Sequence, residues 1–581
     1  MRTPGGARRV VTALVSSATV AAVVACAPQP PSLGAPGATI PLVSPPLVKE
    51  VVLGIDGLTG GFNPHTLADL TPLSEAIAGL LLPSAFHQDP TGQWILDHTL
   101  LTSAEVTNST PFTVTYRIRR NAQWSDITPI GAEDFGYLAE QMRSQPGVVD
   151  SAGYQLIDQV ISRDGGKTAE VVFTRPYAGW RTLFRHLLPA HLLKDAPGGW
   201  SKALDAGVPV SGGPFAMTLV DRSRGEIVLE RNDRYWDTPT QVGRIRLRQG
   251  SQAALVDALR TGGVQGALFG RSNAITVSLL RAANLGVSPT VVPQPVLVSV
   301  LLRPASRVLS DQRVRTAVAA VLDRGALIAT GVGSGPSATL RADSEVLAPS
   351  TPGYRPTAPT AGVPVAPDPD TARRLLTEAG YTREPTGWQR AGQPLRLVVA
   401  APADREPYGT LAARVVNQLR TAGIGAELRE VDPDELFGTS LGPNTAAGSP
   451  RDGTAQTRPA SVTTPDVDIA VLPQPAAGHP ATQLESWYGC PLVVPARLAP
   501  APPNPAQFCD LALQPMIERA LTQDDPTVPS AVEAALWERA VSIPLYQPAS
   551  LLVSTRALPD VVPGTPLEGP LDGAARWQLR Q

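Results

Sequence analysis

Phe112-Thr113-Val114-Thr115-Tyr116-Arg117-Ile118-Arg119 alternates apolar and polar side chains, and Trp124-Ser125-Asp126 and Pro129-Ile130-Gly131-Ala132-Glu133-Asp134-Phe135 follow it. The period of two predicts a half-buried strand. The acidic pair Glu133-Asp134 then opens a helix, where the positive end of the helix dipole favours negative charge. Strand followed by helix is the unit that the rest of the chain repeats. Upstream, the pattern predicts a buried strand over residues 49–55 and a helix over 73–82 that Pro83 ends. Downstream, it predicts strands over 154–161 and 168–173 around the Asp164-Gly165-Gly166 turn, strands over 225–230 and 244–248, and a helix over 253–261. The second half continues with strands over 296–302, 395–400, 426–431 and 466–472. Its helices fall over 311–328, 370–379, 409–421 and 530–540. Strands and helices alternate in both halves, which predicts an α/β architecture of more than one lobe.

The chain has 581 residues, which corresponds to roughly three to four domains. A formal net charge of −2 argues against a nucleic-acid binder, which is usually clearly basic. Hydrophobic residues make up 43%, enough to fill large cores. Lysine occurs only at positions 49, 167, 194 and 202, a bias of codon usage rather than chemistry.

The first residues read as an address. Arg2, Arg8 and Arg9 precede an uncharged run that ends Val23-Val24-Ala25-Cys26. The run is short for a membrane span and fits a signal peptide over residues 1–25. Its end resembles the bacterial lipobox, which implies cleavage before Cys26 and lipidation of its thiol. Residues 26–46 are rich in Pro, Ala, Gly and Ser, as a tether is. No later run reaches the length of a spanning helix. The expected location is therefore the outer face of the cell membrane, exported and lipid-anchored. With Cys26 consumed, Cys490 and Cys509 remain in an oxidising compartment, where an even remainder implies one disulfide. Two free buried thiols are the alternative.

Motifs for chemistry fail. No Walker A or dinucleotide fingerprint is present, and no His-Glu-x-x-His places a metal; no cofactor is expected. Gly438-Thr439-Ser440-Leu441-Gly442 matches Gly-x-Ser-x-Gly, but the required strand does not precede it. Capping explains Glu133-Asp134 better than acid/base work. The chain is expected not to be an enzyme.

The opening stretch resembles the signature of the family 5 extracellular solute-binding proteins, the peptide and nickel receptors of ABC importers. Five further blocks follow in the family's order: Gly212-Gly213-Pro214-Phe215, the Glu230-to-Trp236 block, Arg313 to Ala317 with Leu322-Asp323-Arg324, Ala372 to Leu376 with Ala379-Gly380-Tyr381, and Ile543-Pro544-Leu545-Tyr546. The resemblance implies a two-lobed periplasmic-binding-protein-like α/β fold, of type II and cluster C style, with an extra inserted subdomain. The implied division is 47–82 with 201–290 as lobe I, 83–200 as the insert, 291–548 as lobe II and 549–581 returning to lobe I. A low-complexity loop over 442–464 lies in lobe II.

Narrower blocks resemble actinobacterial lipoproteins of this fold that are linked to the synthesis of phosphatidylinositol mannosides and lipoarabinomannan. They are Gly54-Ile55-Asp56, Gly61 to His65, Leu82 to Phe86, Gln145 to Asp150, Leu188 to His191 and Tyr488 to Pro491. Peptide receptors of the family carry an Asp in a Trp-x-x-Asp-Tyr-x-Asp-Pro-like stretch that holds the peptide amino group. The equivalent Leu472 to His479 has no carboxylate, and a buried ammonium without one is costly. Gln474 and His479 can instead hydrogen-bond hydroxyls, or merely satisfy loop backbone. Phe62 and His65 are expected at the cleft by resemblance, or in packing. Trp487 and Tyr488 are candidates for a stacking platform, or for packing against the disulfide. The expected ligand is a glycolipid or another small molecule, with a membrane glycosyltransferase as partner. The rival reading is the receptor of a peptide or small-solute importer, with an ABC permease as partner.

Overall fold

A computed structural model of the chain describes residues 49–58, 60–442, 467–491, 504–523, 527–559 and 561–580. The residues expected to form a signal peptide and tether, Cys26 among them, and the low-complexity stretch beyond Gly442 lie outside the described residues. Among the described residues no helix is long and apolar enough to cross a membrane.

Two sheets organise the body. The larger has seven strands, in the order Thr290–Pro293, Ala549–Ser554, Gly266–Phe269, Glu50–Ile55, Arg244–Gln249, Glu226–Arg231 and Phe215–Asp221. Glu50–Ile55 runs parallel to both of its neighbours, with Leu53 opposite Leu247 on one side and Gly266 on the other. The helix Gln252–Thr261 starts on a Ser251 side-chain cap and packs closely on this sheet. A Cβ on Gly54 would come within 2.6 Å of Leu255 Cδ2, so glycine lets helix and strand approach.

The second sheet has five strands, ordered Gly425–Val431, Arg396–Pro402, Ile469–Pro475, Val296–Leu302 and Ser542–Tyr546. Every residue of Val296–Leu302 and Ile469–Pro475 is buried. Such continuous runs mark strands covered on both faces. One predicted helix divides here. In place of a single helix over 311–328, the chain forms Gln312–Val321 and Arg324–Val332. Leu322 turns extended and the Asp323 carboxylate caps the second helix, accepting from Ala326 N. A second difference lies at 154–161, where a short helix Ala152–Gln155 precedes the strand Ile157–Arg163.

The opening stretch of the sequence builds a separate four-stranded antiparallel sheet, Leu101–Ser109, Phe112–Ile118, Thr168–Phe173 and Ile157–Arg163 in spatial order. Helix Ala132–Ser144 lays Phe135, Leu138, Ala139 and Met142 over it. Phe135 and Tyr116 meet Phe184 with ring centroids 4.8 and 5.2 Å apart. Asp134 is buried and caps: its carboxylate accepts from Gly131 N at 2.9 Å and from Ala190 N at 3.0 Å. The excursion that carries this sheet leaves and rejoins the larger body at one point, where Gly212 N donates to Leu81 O at 2.9 Å. A Cβ on the adjacent Gly213 would lie 2.2 Å from Leu80 O, which only glycine avoids.

Several family blocks brace one another. Asn232 Nδ2 donates to Gly213 O at 2.9 Å, joining the second and third blocks. Arg324, fully buried, donates from Nε to Pro544 O at 2.8 Å, joining the fourth to the last. Cys490 and Cys509 are joined by a disulfide.

The chain passes between the two large sheets twice, at residues 294–295 and 547–548. Gln294 N donates to Pro548 O at 2.9 Å, and Gln547 Nε2 donates to Gln294 O at 2.8 Å and to Ser350 Oγ at 2.7 Å. Gln547 Oε1 accepts from Ser350 N at 2.9 Å. Gln547→Ala removes all three side-chain bonds from a buried site and is expected to cost about 2 kcal/mol. Urea unfolding checks this: the midpoint falls at unchanged slope, whereas an unchanged midpoint excludes Gln547 as a brace.

Candidate functional site

A cleft of about 610 Å³ lies between the two large sheets. One wall follows the first strand and its neighbours: Asp56 to Leu58, Leu70 to Leu73, and Gly270 to Asn273. The opposite wall is Asp404 to Tyr408 with Tyr546, and the crossings at Gln294, Pro295 and Pro548 form the floor. Asp56 is fixed at the end of its strand, accepting from Gly270 N at 2.8 Å and Arg271 N at 3.1 Å. Two polar links tie the halves of the molecule together. Arg405 donates to the carbonyls of Leu67 and Ala68, and Lys202 pairs with Asp434.

A smaller cavity of about 80 Å³ opens beside the cleft and shares Leu70, Glu75 and Pro295 with it. His65, His186 and Arg185 stand on its wall with Glu75, and Asp150, His479 and Gln483 close the other side. His65 Nε2 lies 2.9 Å from His186 O. Burial pulls the His65 pKa down to about 4, so its ring is neutral at physiological pH. Burial works to raise Glu75, but the hydrogen bond and charge of His186 and the Arg185 guanidinium outweigh it and hold the carboxyl below its ordinary value. His186 Nε2 is 3.7 Å from Glu75 Oε2. Burial pushes Asp150 up to about 6, against the hydrogen bond it accepts from Gln483 Nε2 at 2.7 Å. Phe184 and His186 both take left-handed φ, 60° and 49°, conformations uncommon for such side chains. Phe184 N donates to Tyr154 Oη at 2.8 Å and His186 N to Ser84 Oγ at 3.0 Å, which holds Arg185 and His186 at the cavity.

Of the six ligand candidates from the sequence, the structure brings His65 and His479 to the small cavity. The other four stand elsewhere. Phe62 is 1% exposed, packed in the core beneath the Arg222 guanidinium. Gln474 is corrected by strand parity. Pro473 faces the cleft and Pro475 the small cavity, so residue 474 points to the opposite face. There Gln474 Nε2 donates to Glu345 O at 2.7 Å and reaches Tyr488 Oη at 3.2 Å. Tyr488 donates to Glu345 Oε2 at 2.8 Å, and its ring packs edge-on to Phe508 beside the disulfide. Trp487 is likewise buried in the core, so neither ring presents a platform to a ligand. Sequence reasoning missed Glu75, Asp150, Arg185 and His186. A charged and ionisable pair set inside the apolar run from Leu183 to Leu188 was the available signal.

Among the described residues no group of three or more His, Cys, Asp or Glu side chains is placed to hold a metal ion. The Gly438 to Gly442 stretch begins in a π-helical turn, Leu436–Ser440, rather than a strand-to-helix elbow.

The buried group around Gln474 is sensitive to pH. Burial pushes Glu345 well above the ordinary carboxyl value, and the nearby Glu533 charge adds to this, while Tyr488 and Arg324 oppose it. A carboxyl raised in the folded state contributes stability below its unfolded pKa and loses it as pH rises toward the folded one. Glu345→Gln, neutral at every pH, is therefore expected to raise Tm more near pH 8 than near pH 4. A melting series that shows the same difference at both ends excludes this.

Comparison with known proteins places these features. The description "Bacterial extracellular solute-binding proteins, family 5 Middle" matches residues 98–491. The chain is 35% identical to the "Probable monoacyl phosphatidylinositol tetramannoside-binding protein LpqW" of Mycobacterium tuberculosis, over 95% of this chain and 94% of that protein. It is 30% identical to the oligopeptide-binding protein OppA of Mycobacterium bovis, over 80% of this chain and 74% of that one. Among solved structures, the oligopeptide-binding protein AppA of Bacillus subtilis, in complex with a nonapeptide, superposes with a TM-score of 0.69 at 14% identity, covering 92% of this chain and all of AppA (100%). The last similarity shows the fold: a two-lobed, mixed α/β solute-binding architecture.

Proposed function

Because this chain belongs to the family 5 bacterial extracellular solute-binding proteins, we propose that its interlobe cleft holds the hydroxyl-rich headgroup of a phosphatidylinositol mannoside. In this reading the protein is not an enzyme. It is anchored through a lipidated Cys26 on the outer face of the cell membrane, and it binds or regulates intermediates on the way to lipoarabinomannan, in contact with a membrane glycosyltransferase.

The observation that carries the reading is the end of the Ile469–Pro475 strand. It offers the cavities Pro473, Pro475, Ala477, Gly478 and His479, and no carboxylate. The carboxylates that do reach the small cavity are already engaged, Glu75 by His186 and Asp150 by Gln483. A peptide ammonium seated in the small cavity would find no unengaged carboxylate there, which is costly in a buried site, whereas Asp56, Asp404 and Glu406 stand on the walls of the wider cleft. A glycan brings hydroxyls, which accept and donate and need none. The cleft volume lies in the ordinary range for small-ligand sites, about 300–1,000 Å³.

The second reading, a receptor delivering a peptide or small solute to an ABC permease, draws on the 30% identity to OppA. Thermal melts separate the two. A ligand at about 100 times its dissociation constant stabilises by about 2.7 kcal/mol. Phosphatidylinositol mannosides and their deacylated headgroups are expected to raise Tm while short peptides leave it unchanged. A shift with peptides alone overturns the proposal in favour of the importer reading.

A further inference from the structure

Three side chains on the wall of the small cavity bury a polar atom that has no protein partner: Arg185 Nε, His186 Nδ1 and Gln483 Oε1. His186 and Gln483 are 5% and 1% exposed. Buried polar atoms left without partners cost free energy, and native structures rarely tolerate three at one place unless something else completes them. The cavity, about 80 Å³, has room for a handful of water-sized groups and no more.

We propose that this cavity is a subsite for a neutral vicinal diol, one edge of a sugar or cyclitol ring whose remainder lies in the cleft. The proposal rests on the glycan reading of the cleft and adds which part of the ligand is recognised, and by what.

The chemistry of the wall selects against charge of either sign. An anion such as phosphate would meet the carboxylates of Glu75 and Asp150. An ammonium would meet the Arg185 guanidinium beside His186. A hydroxyl suits both kinds of neighbour, because it donates to an acceptor such as Gln483 Oε1 and accepts from a donor such as Arg185 Nε–H. Two adjacent hydroxyls fit a wall that offers separate unfilled donors and acceptors. Trp94, half-buried on the same wall, presents an aromatic surface to the C–H groups of the ring. Leu70, Glu75 and Pro295 border both spaces, so a ring edge in the cavity remains continuous with a longer headgroup in the cleft.

The test is isothermal titration of the purified protein with methyl α-D-mannoside, myo-inositol, inorganic phosphate and a deacylated mannosylated inositol headgroup. The neutral rings are expected to bind, and phosphate is expected neither to bind nor to compete. Gln483→Leu and His186→Phe are each expected to weaken the neutral rings about tenfold, the loss of one hydrogen bond. The wild-type competition with phosphate needs no variant, so a variant that fails to fold does not protect the idea. Phosphate competing with the rings overturns it, as does full binding by either folded variant. A headgroup that binds alike to wild type and variants sinks the subsite and leaves the cleft reading standing. Rings that bind and depend on Gln483, with no binding of the headgroup, support the subsite and sink the cleft reading. Silence across the panel sinks both.

Discussion

Two glutamines at the crossings between the large sheets, Gln294 and Gln547, hold the arrangement from which everything else follows. The chain crosses from the seven-stranded to the five-stranded sheet at Gln294 and returns at Gln547, and the two crossings are bonded directly to each other. Gln294 reaches back to Gly270 O and Ser550 Oγ in the larger sheet, whereas Gln547 reaches forward to Ser350. Each crossing is thus stitched to its own half and to its partner crossing. The cleft has these strands as its floor, so its position is set by the same bonds that set the relation of the sheets.

The apolar core is divided differently from the sheets. One continuous cluster joins the larger sheet, the four-stranded sheet and the helices Pro480–Tyr488 and Gln514–Gln523. One face of the five-stranded sheet has its own cluster, with Val298, Val300, Val399 and Val471, while Leu301, Ala400 and Leu472 on the other face join the first. Helix Pro480–Tyr488 is bound to the four-stranded region through Thr482 Oγ1 and Tyr177 Oη, 2.7 Å apart. Ala178 N likewise donates to Leu521 O at 2.8 Å. The small cavity is walled in the same way, by His65, Glu75 and His186 from one region and His479 and Gln483 from the other. Large apolar interfaces resist the relative motion that small polar ones permit.

Much of the fold was legible because its family blocks are braces. Gly213, Asn232, Arg324 and Pro544 stand in motifs, and each is engaged by another motif. Period-two alternation found the strand at residue 112, and an acidic first turn found the helix after it. The division at Leu322 escaped because both helices keep apolar residues in phase, and only the Asp323 cap marks the break. The site was less legible for a different reason. Gln474 was a sound choice of residue type on the wrong face of its strand, and parity in a strand buried on both faces leaves no mark in the sequence. Glu75, Asp150 and the adjacent pair Arg185-His186 come from three separate stretches, and only tertiary packing brings them together.

The single junction at Leu81 and Gly212 has an evolutionary consequence. A segment whose two ends already touch behaves toward its host as a short loop, however much chain it contains. The exposed edge strand Leu101–Ser109 can therefore lengthen or shorten without resetting the register of the seven-stranded sheet. Gly213, wedged against Leu80 O, is fixed at this seam, and the Tyr177–Thr482 and Ala178–Leu521 contacts fix the far side. The excursion thus carries one wall of the small cavity, with Asp150, Arg185 and His186, while Pro295 borders it from a crossing between the two large sheets.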